Sequence, residues 1–189
     1  MGKDKGKLVM NINDSYQHAN LYNYAMNLLR QQKSFRSRAI IMLCIGSDRY
    51  IGDALGPLVG SYLGENSNCI VYGTLDSPVH GGNLVQVMDQ IVQEHQQPII
   101  IAVDACLGYS HEIGNIEIWE GGIEAGIAVG NPLPCVGHIS IIGVVNASRH
   151  IGYTDLQNTP LSIVMKLSKC IGEVLSEVVT GVHNHKVSM

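Results

Sequence analysis

No lysine or arginine stands between Arg49 and Arg149. The same stretch carries ten carboxylates: Asp53, Glu65, Asp76, Asp89, Glu94, Asp104, Glu112, Glu117, Glu120 and Glu124. Charge of either sign is scarce throughout. Charged residues make up 15 % of the 189, against about 25 % in an ordinary globular chain. The formal net charge of −4 and the cation-free middle exclude a nucleic-acid binder, because phosphate contacts need Lys and Arg. Carboxylates that meet within this stretch have few local cations to neutralise them.

Other absences narrow the class further. No apolar run reaches the ~18 residues that span a bilayer, so no membrane partner is expected. The opening MGKDKGK is charged with no apolar run behind it. Position 6 is Gly6, where a myristoylation signal needs Ser or Thr. Neither a signal peptide nor a lipid anchor is therefore expected. The five cysteines (Cys44, Cys69, Cys106, Cys135 and Cys170) are odd in number and form no CxxC. They read as reduced thiols of a cytoplasmic protein. There is no GxGxxG, no Walker loop and no GxSxG, so nucleotide binding and Ser-triad hydrolysis lose their usual support. What the chain does have is apolar residue, 46 % of the total, in a length that builds one full core.

The pattern predicts a single α/β domain over 15–181, between flexible tails at 1–14 and 182–189. A helix is expected from Tyr16 to about Gln32, then an apolar strand from Ala39 to Ile45. Gly56-Pro57 marks the next helix start, since Pro suits the first helical turn. A short strand over Cys69 to Tyr72, a helix from about Asn83 to Gln96 and a strand over Ile99 to Val103 follow. This order, with strands apolar on both faces, argues for a mostly parallel sheet covered by helices. Gly114 to Trp119 alternates and reads as an edge strand. Residues 121–137 read as a long loop, Ile139 to Val145 as another strand, and Leu161 to Val179 as a last helix.

In such a sheet the ligand crevice lies beyond the carboxyl ends of the strands. That rule selects the loops Gly46 to Asp53, Gly73 to His80 and Asp104 to Gly108. Asp104 ends the run IIIAVD, and a charge at the lip of a buried strand is costly unless paired or coordinated. Asp53 stays in its loop if the helix starts at Gly56-Pro57. Asp76 and His80 share the second loop. Two carboxylates with few cations nearby share a proton or hold a metal ion, and both arrangements hydrolyse bonds. Cys106 is a candidate nucleophile, although a lone small apolar Cys is more often packing. Cys135 and His138 form Cys-x-x-His without the second pair of a zinc site. If the strand at Ile139 runs parallel to the others, His138 lies at the wrong edge.

Gly52-Asp53-Ala54-Leu55-Gly56-Pro57, the segment Gly73 to His80, and Ala102-Val103-Asp104-Ala105-Cys106-Leu107-Gly108 together resemble the spore protease YyaC family of spore-forming bacteria. That family is related to germination protease and, more distantly, to hydrogenase maturation endopeptidases. The resemblance implies a three-layer α/β/α sandwich of the phosphorylase/hydrolase-like type and a cytoplasmic, spore or forespore location. It implies a sporulation-associated peptidase acting on a protein or peptide, with Asp53 and Asp104 as the catalytic pair and no cofactor. Arg49, Asp76 and His80 are then the substrate-binding candidates. The maturation endopeptidases imply an alternative in which Asp53, Asp104 and a histidine, His138 or alternatively His80, hold a divalent metal ion, Ni or Zn. A non-catalytic binding protein on the same fold is a third reading, and a homo-oligomer is compatible with all three.

Overall fold

The computed structural model describes residues 6–124, 135–149 and 153–187, with side chains described as far as residue 182. Four apolar strands build its centre: β2 (Ile40–Cys44), β3 (Ile70–Tyr72), β4 (Ile99–Gly108) and β8 (Ile139–Ala147). They run parallel in the spatial order β8-β4-β2-β3. In β2 the side chains alternate between two cores. Ile41 and Leu43 enter one, Met42 and Cys44 the other. A run that is apolar at every position suits a strand buried on both faces.

Two further strands extend this sheet past β8. β5 (Asn115–Glu120) pairs antiparallel with β8, and β1 (Leu8–Asn11) pairs antiparallel with β5 at the margin. A separate two-stranded antiparallel sheet is formed by β6 (Ile123–Glu124) and β7 (Cys135–Val136). Helices α1 (Gln17–Gln31), α2 (Leu55–Asn66) and α5 (Leu161–Val187) pack on one face of the sheet. Helix α3 (Leu84–Glu94) covers the other face through Leu84 and Ile91. A four-residue helix, α4 (Thr154–Gln157), lies between β8 and α5. The three-layer α/β/α sandwich expected from the sequence is the observed architecture.

Three local expectations are corrected. Leu8–Asn11, expected within a loose tail, forms β1, because the margin of β5 supplies main-chain partners from Leu8↔Ile118 to Asn11↔Asn115. β5 is therefore an interior strand, not an edge. Helix α5 continues past 181 to Val187, where a tail was expected. Of the loop expected over 121–137, residues 125–134 lie outside the described residues, and its ends form β6 and β7. No helix among the described residues is long and apolar enough to cross a membrane.

Candidate active site

β2 pairs with β4 only as far as Cys44↔Val103. β4 continues alone on that side, held from the other side by β8 through Asp104↔Ile142 to Gly108↔Ala147. Residues 104–108, expected as a loop, are thus strand, because main-chain pairing with β8 outweighs the break in the apolar run. Asp104 is the first residue of β4 beyond the end of β2. It sits where the sheet opens, which is where a crevice forms.

The chain leaving β2 turns away at Gly46, whose φ of 141° favours glycine. A Cβ there would stand 2.0 Å from the Asp53 carbonyl oxygen. This close approach brings the Asp53 turn back onto the strand end. A single 3-10 turn, Ile51–Ala54, carries Asp53 into α2. Ser47 closes the loop twice: its N–H donates to the Asp53 carbonyl at 3.2 Å, and its hydroxyl donates to Asp53 Oδ2 at 2.9 Å. Pro57 falls in the first turn of α2, where its missing N–H breaks no helical bond.

The two carboxyls sense each other. Burial pushes Asp104 up to about 8, and the Asp53 charge adds to the rise. Its one hydrogen bond opposes this, the Ala105 N–H donating to Oδ1 at 2.7 Å. Burial also raises Asp53, but the Ser47 hydroxyl, the Ser47 N–H and nearby His80 pull it back. Two neighbouring carboxyls with unequal environments divide into one proton holder and one charge holder.

His80 lies within electrostatic reach of Asp53, and its protonated form would lower the Asp53 carboxyl. Gly82 N–H donates to His80 Nδ1 at 3.1 Å, and His80 N–H donates to Asn83 Oδ1 at 2.8 Å. With Nδ1 accepting, a neutral His80 carries its proton on Nε2. Arg49 is exposed, and among the described residues no ion pair reaches Asp53 or Asp104. Asp76 is exposed in the turn closed by Thr74 N–H donating to the Ser77 carbonyl. Neither is drawn to the two aspartates.

β8 is parallel to β4, so His138 stands at the amino edge of the sheet, opposite the aspartates. It is bound there to Ile100: the His138 N–H donates to the Ile100 carbonyl at 2.8 Å, and the Ile100 N–H donates to His138 Nδ1 at 3.1 Å. Burial and the Arg38 guanidinium hold its imidazole below the usual value. The metal set of Asp53, Asp104 and His138 does not fit this arrangement. Among the described residues no three His, Cys, Asp or Glu side chains are arranged to hold an ion. Cys106, two residues beyond Asp104, is pushed up to about 12 by burial and by the charges of Glu117 and Asp104. A thiol so firmly protonated is a poor nucleophile.

Two features escaped the sequence reading. One is the Ser47 hydroxyl; its place six residues before Asp53, in a loop already selected, was the available signal. The other is the stack of Tyr50 on Tyr153, ring centroids 4.8 Å apart and planes 17° apart. Nothing in the sequence links those two tyrosines.

The family model described as protein of unknown function (DUF1256) matches residues 9–174. Uncharacterized protein YyaC of Bacillus subtilis (strain 168) is 43 % identical over 141 residues, 74 % of this chain and 69 % of that protein. The chain is also similar in fold to a [NiFe] hydrogenase maturation protease, HycI from Thermococcus kodakarensis KOD1. That similarity has a TM-score of 0.53 at 17 % identity, over 83 % of this chain and 99 % of that one.

Proposed function

The chain belongs to the DUF1256 family, and from that premise we propose that it hydrolyses peptide bonds with Asp53 and Asp104 as a coupled acid–base pair. The observation that carries this reading is the meeting of two carboxyls with unequal surroundings at the open end of the sheet, Asp53 bonded by Ser47 and Asp104 bonded by its neighbour Ala105. At neutral pH Asp104, with its value near 8, holds a proton. We assign the charge to Asp53, where Ser47 and His80 oppose the rise that burial causes.

The roles follow from those states. Asp53 takes a proton from a water molecule as its oxygen attacks the peptide carbonyl carbon. Asp104 gives its proton to the carbonyl oxygen. The resulting tetrahedral diol collapses as the protonated Asp53 passes its proton to the leaving amide nitrogen, and Asp104 recovers a proton from the diol. His80 Nε2–H is the donor available to the substrate carbonyl. The fold shared with a maturation protease supports a protein substrate, and the three motifs read from the sequence support an endopeptidase of the germination-protease type in sporulating cells.

Asp53→Asn and Asp104→Asn test this. Each variant and the wild type are incubated with proteins extracted from sporulating cells and with a peptide library, and new termini are mapped by mass spectrometry. The expected result is cleavage by the wild type and a loss of about 10³-fold or more in either variant, with circular dichroism unchanged. Cleavage retained by either variant overturns the assignment.

A further inference from the structure

Asp53 and Asp104 come from different parts of the chain, yet both are referred to one strand. Asp104 is tied to β8 by the main-chain ladder, opposite Ile142. Asp53 is tied to β8 by a longer route through α4. Asn146, near the end of β8, donates its side-chain amide to the Asp155 carbonyl at 2.9 Å. The same carbonyl accepts from the Thr159 hydroxyl at 2.8 Å, and Asp155 Oδ2 accepts from the Arg149 N–H at 2.7 Å. Asp155 is buried, 4 % exposed, so these bonds anchor α4 firmly to the strand end.

From that anchor α4 and the residues flanking it bear on the Asp53 turn at two points. Gly52, the residue before Asp53, lies so close to it that a Cβ would stand 2.8 Å from Thr159 Oγ1 and 2.9 Å from Leu156 Cδ2. Tyr153, immediately before α4, stacks on Tyr50. Tyr50 is itself bonded to the catalytic turn, its carbonyl accepting the Asp53 N–H at 3.0 Å. Tyr153 is the outer ring of the stack, 41 % exposed, whereas Tyr50 packs against the main core. An offset aromatic stack adds attraction and orientation beyond the area it buries. Removing the Tyr153 ring takes little from the core but frees the outer end of the loop.

We propose that Tyr153 is a positioning residue for the aspartate pair: stacked on Tyr50, it holds the Asp53 turn against α4 and so sets Asp53 against Asp104. It does not touch the reacting atoms. Misplacing a catalytic group by about 1 Å costs up to about 100-fold in rate, so a contact at this remove governs turnover. The proposal rests on the hydrolase reading for its kinetic consequence, but its geometric consequence stands apart from catalysis.

The test compares wild type with Tyr153→Phe, Tyr153→Leu, Tyr153→Ala, Tyr50→Ala and the Tyr50→Ala/Tyr153→Ala double variant. Folding is checked by circular dichroism and thermal unfolding. Two readouts follow: kcat and KM on a peptide the wild type cleaves, and carbon-13 titration of the Asp53 and Asp104 carboxyls. Tyr153→Phe keeps the stack and is expected to match wild type. Tyr153→Leu and Tyr153→Ala are expected to lower kcat about tenfold or more with KM changed much less. The double variant is expected to be no worse than the worse single variant, because one stack is lost either way. In Tyr153→Leu and Tyr153→Ala the two carboxyl titrations move toward independence. Wild-type kcat and wild-type titrations in a folded Tyr153→Leu or Tyr153→Ala overturn the proposal, as does a Tyr153→Phe variant as impaired as Tyr153→Ala. If the wild type cleaves nothing, the hydrolase reading fails, and the carboxyl titrations alone decide the positioning role.

Discussion

Ser47 donates its hydroxyl to Asp53 Oδ2 at 2.9 Å, whereas among the described residues Asp104 receives only the N–H of its own neighbour, Ala105. This asymmetry separates two carboxyls that would otherwise be alike. A hydrogen bond donated to a carboxylate favours its charged form, and burial favours the neutral one. Asp53 has more of the first, Asp104 more of the second.

Removing the Ser47 hydroxyl therefore acts on one limb of the pH profile. In Ser47→Ala, Asp53 loses a donor to its charged form and its value rises further. A hydrogen bond to a charged group favours the charged form, so the acid limb of kcat/KM is expected to move to higher pH. The basic limb, set by Asp104, stays in place. A profile with an unmoved acid limb contradicts the role given to Ser47.

Gly46 is expected to tolerate no side chain. Alanine there must adopt a φ of 141° and place its Cβ against the Asp53 carbonyl oxygen. Gly46→Ala is expected to lose at least about 2 kcal/mol of stability and to displace the Asp53 turn, reducing activity more than a distant variant of equal stability does. Urea unfolding and kcat together check this. Wild-type stability in Gly46→Ala contradicts the close approach.

Asp104→Asn is expected to destroy activity and yet stabilise the fold at high pH. The folded chain holds the Asp104 proton up to about 8, while an unfolded Asp releases it near ~4. The contribution of that proton to stability is fully present below the unfolded value and lost as pH rises through about 8. Asparagine cannot ionise, so above pH 8 the variant escapes the cost of a buried charge beside Asp53, by about 1–3 kcal/mol. Denaturant unfolding at pH 6 and pH 9 measures the difference. A gain equal at both values contradicts the raised value of Asp104.

The strands β2 and β4 and the place of Asp104 at a strand end were legible in the sequence for one reason. A buried parallel strand must be apolar at every position, so its end is visible as the first charge after the run. Asp104 follows IIIAV, and the turn at Gly46 follows IIMLCI. What was not legible depends on partners remote in the chain. β1 is four residues long and exists because β5 offers it a margin. The continuation of β4 through Ala105 and Cys106 depends on β8 running beside it. The edge on which His138 falls was settled by the direction of β8, which periodicity does not reveal. Likewise the Tyr50–Tyr153 stack joins residues separated by most of the fold.

The cation-free stretch takes its meaning from this geometry. Arg49 stands at its border and stays exposed, so the pair is left to manage its charge by itself. Ser47 favours the charged form of Asp53, and burial favours the protonated form of Asp104.

Carbon-13 titration of the aspartate carboxyls is the most direct measurement of that arrangement. The account predicts that Asp104 takes up its proton at about 8 and Asp53 at a distinctly lower pH, and that Asp53→Asn lowers the Asp104 value by removing the neighbouring charge. Two carboxyls that titrate together in the ordinary range near ~4, each indifferent to replacement of the other, would contradict it.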